Sequence, residues 1–230
     1  MKVRDLLCLL AALLMATTRT EALIVPFSED FTGGASNWLN GASAAPAWNA
    51  TGGVDGGGYI SAPGAISVGG FGTIVFRGNA AADASGDAFV GNWLSGGVST
   101  FSAYVSHDAP VALNFYARLD AGSGRAGSSI DFSVAPGGWF QLNIPIAESS
   151  FQSYGAAGSG TAAFNTVFSS ISNVQIALSS TQNPSTAGQT YNVSLDRVAT
   201  VPEPSVSALL TCGLLFAWVA LRPLKLFRRV

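Results

Sequence analysis

The segment Val111-Ala-Leu-Asn-Phe-Tyr-Ala-Arg-Leu119 is the clearest indication of how this chain folds. Its odd-numbered positions form one apolar face, whereas its even-numbered positions are mixed. Successive side chains of a β-strand point to opposite faces of a sheet, so a period of two indicates a strand with one buried face. We therefore predict a β-strand over residues 111–119.

Other segments share this alternating or clustered apolar character, and Gly, Asn, Asp, Ser and Pro separate them. They are residues 73–77, 100–105, 129–134, 139–144, 172–178 and 190–198. No amphipathic helix is predicted between residues 23 and 200. Short strands with turn residues about every ten positions favour an all-β fold, an antiparallel β-sandwich of the jelly-roll type. No charge run or proline-rich linker divides residues 23–200, which we interpret as one domain.

The composition excludes one class of partner. Only 10% of the 230 residues are charged, 48% are hydrophobic and 27 are glycine. The region from Glu29 to Glu203 has eleven acidic residues against four arginines and no lysine, a formal charge of −7. Such an acidic region repels phosphate backbones, so no nucleic-acid partner is expected.

The first 22 residues have the organisation of a secretory signal peptide. Lys2 and Arg4 precede an apolar run over residues 6–16, and Thr20-Glu21-Ala22 approximates a cleavage site. This predicts export through a secretion translocon. A signal anchor is the alternative, although the run is shorter than the about twenty residues that cross a bilayer. Both cysteines lie in the two terminal apolar runs, so no disulfide is available to the body.

The last thirty or so residues contain three distinct parts. Val201-Pro202-Glu203-Pro204-Ser205 is followed by an apolar run over residues 206–221 and by a basic tail over residues 222–230. The prolines predict an exposed segment outside any sheet ladder. The apolar run predicts a transmembrane helix, whose basic tail stays cytoplasmic by the positive-inside rule.

This order of parts over residues 201–230 resembles the PEP-CTERM sorting domain of Gram-negative bacteria, and Pro202, Glu203 and Pro204 match its motif. In that family an exosortase, a membrane transpeptidase, recognises the motif and removes the tail, and the system accompanies extracellular polysaccharide and biofilm formation. The resemblance implies an exported protein of the cell envelope, cell surface or extracellular matrix, with a transient or retained inner-membrane anchor. The alternative is a plain single-pass anchor that is never cleaved.

Three segments of the body resemble strands of carbohydrate-binding modules with a jelly-roll fold. They are Glu29-Asp30-Phe31 with Trp38, residues 139–145 and residues 191–198. Residues 56–61 and 89–93 are also similar to the laminin-B type of jelly roll. The resemblance implies a non-catalytic sandwich that interacts with extracellular polysaccharide. In such modules a structural calcium joins the first and last strands, which implies Glu29 or Asp30 together with Asp196 as its ligands here.

The aromatic residues divide into two groups. Trp38, Trp93 and Trp139 lie at or beside predicted strands, and we predict that they are buried. Trp48 and Tyr59 flank the glycine-rich residues 52–58, which we interpret as a loop. Loops over a rigid sandwich often carry binding residues, and a flat ring can cover the C–H face of a sugar. Trp48 and Tyr59 are therefore the predicted carbohydrate-binding residues.

No catalytic residue is predicted. The sequence lacks Gly-x-Ser-x-Gly, His-Glu-x-x-His and a P-loop, and its single histidine, His107, excludes a multi-histidine metal site. Two functional alternatives stay open. The richness in Gly, Ala and Ser also suits an adhesive matrix protein with no defined sugar site, and two carboxylates facing across a cleft would suit a glycan hydrolase.

Overall fold

The computed structural model describes residues 23–69 and 72–203. Their strands are β1 (Phe27–Glu29), β2 (Leu39–Asn40), β3 (Ala47–Asn49), β4 (Tyr59–Ala65), β5 (Thr73–Asn79), β6 (Val98–His107), β7 (Leu113–Asp120), β8 (Arg125–Ser129), β9 (Phe132–Val134), β10 (Phe140–Pro145), β11 (Phe151–Gly155), β12 (Asn173–Leu178) and β13 (Thr190–Pro202). Within the described residues, one α-helix, α1, covers Gly160–Phe168. Short 3-10 turns lie at Ala80–Ala82, Ala84–Asp87, Glu148–Ser150 and Pro184–Thr186.

The strands form two antiparallel sheets. Sheet A has the order β10-β6-β13-β4-β3, with β1 also paired to β13. Sheet B has the order β11-β8-β7-β12-β5-β2, with β9 also paired to β7. The chain crosses between the sheets from β1 to β2, β2 to β3, β4 to β5, β5 to β6, β6 to β7, β9 to β10, β10 to β11 and β12 to β13. The predicted all-β antiparallel sandwich is therefore confirmed.

The core lies between the sheets and follows the alternation seen in the sequence. In β7, Leu113, Phe115, Ala117 and Leu119 are fully buried, while the residues between them are partly exposed. The strand begins two residues later than predicted. Trp38 and Trp93 are fully buried, as predicted, whereas Trp139 is only half-buried, so that part of the prediction is wrong.

The predicted strand over residues 129–134 is interrupted. β8 ends at Ser129 and β9 begins at Phe132, with an exposed Ile130 between them. The Ser129 hydroxyl oxygen accepts the Ala117 N–H at 3.1 Å and donates to the Ile130 carbonyl at 2.9 Å. A side chain thus replaces the backbone ladder at this point.

The expectation of no amphipathic helix is wrong. Helix α1 buries Ala163, Phe164, Val167 and Phe168 on one face, which is the spacing of a helical stripe. The helix has only nine residues and starts at a glycine, so intrinsic propensity gives little signal. Packing of the Phe164 and Phe168 rings against Phe151 stabilises it instead.

The C-terminal strand also runs further than expected. Pro202 was predicted to lie outside any ladder, but it is the last residue of β13, opposite Val98 after a register shift. A proline donates no hydrogen bond, so it fits only where a ladder ends or at an edge. Glu203 then donates its N–H to Gly97 O at 3.0 Å.

Several predicted features lie outside the described residues. They are the signal peptide over residues 1–22, Pro204 of the sorting motif, the apolar run over residues 206–221 and the basic tail over residues 222–230. Among the residues that the structure does describe, no helix is long and apolar enough to cross a membrane.

Candidate functional site

The two predicted carbohydrate-binding aromatics lie in neighbouring strands of sheet A. Trp48 in β3 is opposite Ile60, whereas Tyr59 in β4 is opposite Asn49. Because directly opposed residues share a face and adjacent residues do not, Trp48 and Tyr59 point to opposite faces of the sheet. Trp48 is 43% exposed and donates its Nε1–H to Phe31 O at 2.7 Å. The structure therefore does not bring the two rings into one stacking platform.

Tyr59 instead contacts Trp139. Their ring centroids are 5.5 Å apart with an edge-to-face angle of 78°, and Trp139 Nε1 donates to Gly52 O at 3.1 Å. Tyr59 is the first residue of β4, and Trp139 directly precedes β10. Strands β6 and β13 lie between β4 and β10, so β4 and β10 would be about 14 Å apart in a flat sheet. The side chains of Tyr59 and Trp139 therefore meet across the two strands that separate β4 from β10.

The glycine-rich loop, residues 52–58, lies on Asp196. Asp196 is 2% exposed, and its Oδ2 and Oδ1 accept the N–H groups of Val54 and Arg197, both at 2.7 Å. Burial raises the pKa of the Asp196 carboxyl, and these hydrogen bonds and the Arg197 charge oppose that rise. A Cβ at Gly53 would lie 2.5 Å from Asp196 Oδ2. A glycine is needed here because the loop approaches the carboxylate so closely.

The residues predicted to bind calcium all accept hydrogen bonds within the protein. Glu29 Oε1 accepts the Phe31 N–H at 2.9 Å, and Oε2 accepts the Ser85 hydroxyl at 2.8 Å. Asp30 Oδ1 accepts the backbone N–H and the hydroxyl of Thr32 at 3.3 and 3.1 Å, and both Asp196 oxygens are engaged as described above. In the described ranges, no group of three or more His, Cys, Asp or Glu residues is placed to hold a metal ion.

A different set of residues comes together on the outer face of sheet B. One residue from each of five adjacent strands stands opposite its neighbour in the next strand, which forms a row across the sheet. The row consists of Arg77 (β5), Gln175 (β12), Arg118 (β7), Ser128 (β8) and Ser153 (β11). Their chain neighbours in β7 point into the core, so this row points away from it. The row presents cations, an amide and hydroxyls across five strands.

Two adjoining depressions lie on this side of the molecule, and together we call them the sheet B groove. The first has a volume of about 460 Å³ and the second about 500 Å³. Gly72 and Ile74 line both, so the depressions meet there. The first is also lined by Tyr116, Arg118, Gly124, Ala126, Ser128, Ser153 and Gly155, and the second by Asn40, Gly41, Ala42, Pro63, Ala65, Thr73 and Arg77.

Tyr116 provides the aromatic surface of the first depression. It stands opposite Ala177, which in turn stands opposite Ile74. Desolvation raises the pKa of the Tyr116 hydroxyl, the nearby Arg118 lowers it and Asp131 raises it. The phenol therefore stays protonated at neutral pH, with a half-buried ring and a hydroxyl that can donate a hydrogen bond.

The polar groups of the row differ in how well they are satisfied. Arg118 Nη1 donates to Asp120 Oδ2 at 2.5 Å and to Gln175 Oε1 at 2.9 Å. Arg77 Nη2 donates to Gly41 O at 3.3 Å, while its Nε is buried without a partner. Nη1 of Arg118 is thus held by two side chains, whereas Arg77 donates to one backbone carbonyl.

Sequence reasoning did not identify this groove. Tyr116 and Arg118 both lie on the mixed face of the segment that predicts β7. A tyrosine two residues before an arginine on the solvent-facing side of a strand is the one local pattern that could have indicated a binding surface here. Arg77 and Gln175 are distant in the sequence, and only the register of β5, β12 and β7 places them beside Arg118.

No protein-family model matches this chain, and no curated protein matches it either. Solved structures do. An exo-β-agarase matches with a TM-score of 0.51 and 11% identity over 80% of this chain and 25% of its own. A second match is the structure of the CBM22-1–GH10 modules of xylanase 10B from Clostridium thermocellum, complexed with xylohexaose. Its TM-score is 0.48 and its identity 13%, over 77% of this chain and 28% of that structure. The C-terminal family 22 carbohydrate-binding module of the same xylanase matches with a TM-score of 0.46 and 14% identity over 81% of this chain and 98% of its own.

The chain therefore spans about a quarter of the agarase and of the first xylanase structure. At 11% identity, the agarase match concerns the fold alone.

Proposed function

We propose that this protein is a non-catalytic polysaccharide-binding protein, exported to the cell surface or extracellular matrix, and that it binds its glycan in the sheet B groove. The observation that carries the proposal is the alignment of Tyr116 with a polar row that crosses five strands of one sheet. A groove of this kind accepts an extended chain, whereas an enclosed cavity would suit a small ligand.

The lining suits the amphipathic surface of a sugar. The Tyr116 ring can cover the C–H face of a pyranose, because an aromatic face is apolar and polarisable. Arg118, Ser128 and Ser153 are partly or fully exposed along the row and can exchange hydrogen bonds with sugar hydroxyls. Gln175 is 2% exposed, so we assign it the positioning of the Arg118 guanidinium, which donates to it.

Binding is tested with the full-length chain in detergent, by affinity electrophoresis and titration calorimetry against a panel of extracellular polysaccharides. Tyr116→Ala is expected to weaken binding about tenfold, since an aromatic contact is worth about 1 kcal/mol beyond its buried area. Trp48→Ala is the matched control, because Trp48 is an exposed aromatic on the other sheet. Thermal melts of both variants report whether the fold is retained.

The outcomes separate the competing functions. Loss of binding in Trp48→Ala, with Tyr116→Ala unaffected, would place the site on sheet A as the sequence predicted. Concentration-dependent self-association without saturable binding would support an adhesive matrix protein. Release of new reducing ends from a polysaccharide would establish a glycan hydrolase and overturn the non-catalytic assignment.

The export and sorting part of the proposal rests on residues 1–22 and 201–230. Mass spectrometry of the mature protein from its host locates both ends. Loss of the segment after about Pro204 supports processing by an exosortase-type transpeptidase. A C-terminus intact through Val230 would contradict processing and leave a membrane-tethered surface domain.

A further inference from the structure

The sheet B groove concentrates positive charge in an acidic domain. Arg77 and Arg118 are two of the four arginines between Glu29 and Glu203, and both stand opposite Gln175 in the same row. Two inter-strand spacings separate their Cα atoms, which is about 10 Å. The two guanidinium groups therefore serve adjacent parts of one groove, Arg118 in the first depression and Arg77 in the second.

Their charges are balanced very differently. Arg118 forms a salt bridge with Asp120 at 2.5 Å. In the described part of the chain, the other arginine salt bridge joins Arg197 to Asp55 on sheet A, and neither bridge involves Arg77. The described lining of the second depression contains no acidic residue. Arg77 is therefore a half-buried cation that no carboxylate of the described residues neutralises.

An uncompensated cation in a partly buried position is unfavourable, because desolvation is not repaid by an ion pair. A ligand anion would supply the missing partner. A guanidinium presents paired N–H donors that match the two oxygens of a carboxylate, so this side chain suits a planar carboxylate better than a neutral hydroxyl.

The charge of the whole domain limits which anion fits. A formal charge of −7 repels a densely charged polymer such as a nucleic acid. A polysaccharide with one carboxylate per sugar or per repeat spaces its charges more widely than duplex DNA, which has one per about 1.7 Å, so a single carboxylate can pair with Arg77 while the neighbouring ring covers Tyr116.

Building on the proposed function, we infer that the groove takes an acidic polysaccharide and that Arg77 binds the carboxylate of a uronic acid residue in the second depression. Tyr116 and Arg118 hold the adjoining sugar in the first depression. Arg77 is thus the residue that distinguishes acidic from neutral glycans.

The test compares the full-length chain on polygalacturonate, alginate and hyaluronate with the carboxyl-reduced, neutral form of each polymer. The wild-type chain is expected to bind at least one acidic form about tenfold or more tightly than its reduced form, as hydrogen bonds to charged groups allow. Arg77→Gln is expected to remove this preference, because it weakens binding of the acidic form about tenfold more than binding of the reduced form, whereas Arg77→Lys keeps part of the preference. Arg197→Gln, which removes one positive charge from sheet A, is the control and keeps the preference.

The results distinguish this inference from the function on which it rests. Equal binding of acidic and reduced forms, still weakened by Tyr116→Ala, would overturn the role of Arg77 and retain the polysaccharide groove. An equal loss of preference in Arg197→Gln and Arg77→Gln would also overturn it, because net charge alone would then explain the effect. Failure to bind any polymer, acidic or neutral, would overturn the proposed function itself.

Discussion

Replacing Gly72 by alanine tests how closely the start of β5 approaches β12 and the groove. The added Cβ would lie 2.2 Å from the Leu178 carbonyl oxygen and 2.9 Å from Cε1 of Tyr116. Ordinary contacts of a Cβ begin at 3.4 Å, so the approach to Leu178 is about 1 Å too short. A backbone carbonyl cannot rotate away, and the chain at residue 72 has to move instead.

The magnitude follows from what this movement disturbs. Thr73 pairs with Leu178 at the end of the β5–β12 ladder, so the shift weakens the ladder there. Overpacking of this kind costs about 1–3 kcal/mol in the free energy of unfolding. For a domain of this size, each kcal/mol lowers Tm by roughly 2–4 °C, so we expect a decrease of roughly 2–12 °C.

The assay is a thermal melt followed by circular dichroism, with Gly138→Ala as the control. A Cβ at Gly138 meets nothing within 4 Å, and the residue has no left-handed backbone conformation. That substitution should be neutral or stabilise the fold by up to about 1 kcal/mol, because alanine restricts the unfolded chain. If Gly72→Ala behaved like Gly138→Ala, the close approach of β5 to β12 would be refuted. Displacement of the Tyr116 ring should also weaken glycan binding in Gly72→Ala, though less than Tyr116→Ala does.

Three further predictions concern buried groups. Burial raises the pKa of the Asp196 carboxyl above 3.8, so its contribution to stability is full below pH 3.8 and is lost as the pH rises through the pKa of the folded state. In urea unfolding, the wild-type chain should therefore lose stability relative to Asp196→Asn between pH 3.5 and 7. A constant difference between the two proteins would contradict this prediction. Because both oxygens of Glu29 accept hydrogen bonds within the protein, we expect EDTA to leave Tm unchanged, whereas a decrease that added calcium reverses would support the predicted calcium site. Trp38 is fully buried and donates to Ser85 Oγ at 2.9 Å, so Trp38→Phe should lower the free energy of unfolding by about 1–3 kcal/mol. Trp48→Phe also removes a hydrogen bond, to Phe31 O, but from a ring that is 43% exposed, so the same chemical unfolding measurement should show a smaller loss; equal effects would refute the assignment of Trp38 to the core.

The alternating segments of the sequence predicted β5, β6, β7, β10, β12 and β13, whereas β4 and the sheet B groove were not predicted. Alternation in β7 is a local pattern, so Leu113, Phe115 and Leu119 could be assigned to the core without knowing any partner strand. Helix α1 gave no comparable signal because its stability depends on packing of Phe164 and Phe168 against other elements.

The candidate aromatics illustrate the same limit. The sequence predicts Trp48 and Tyr59 as binding residues because they flank a glycine-rich loop, and Trp48 is indeed exposed. Their pairing positions in β3 and β4, however, turn them to opposite faces. Tyr59 is engaged by Trp139, a residue distant in the sequence.

The amino-acid sequence alone determined the fold class and the core of this protein, because strand periodicity depends only on the order of apolar and polar side chains. It is also the whole basis for the proposed export and sorting segments. Only the tertiary structure decided where the groove lies, since the register of β5, β12 and β7 brings Arg77 and Arg118 to the two sides of Gln175. Register is set by contacts between residues distant in the chain, and those contacts exist only once both sheets have formed.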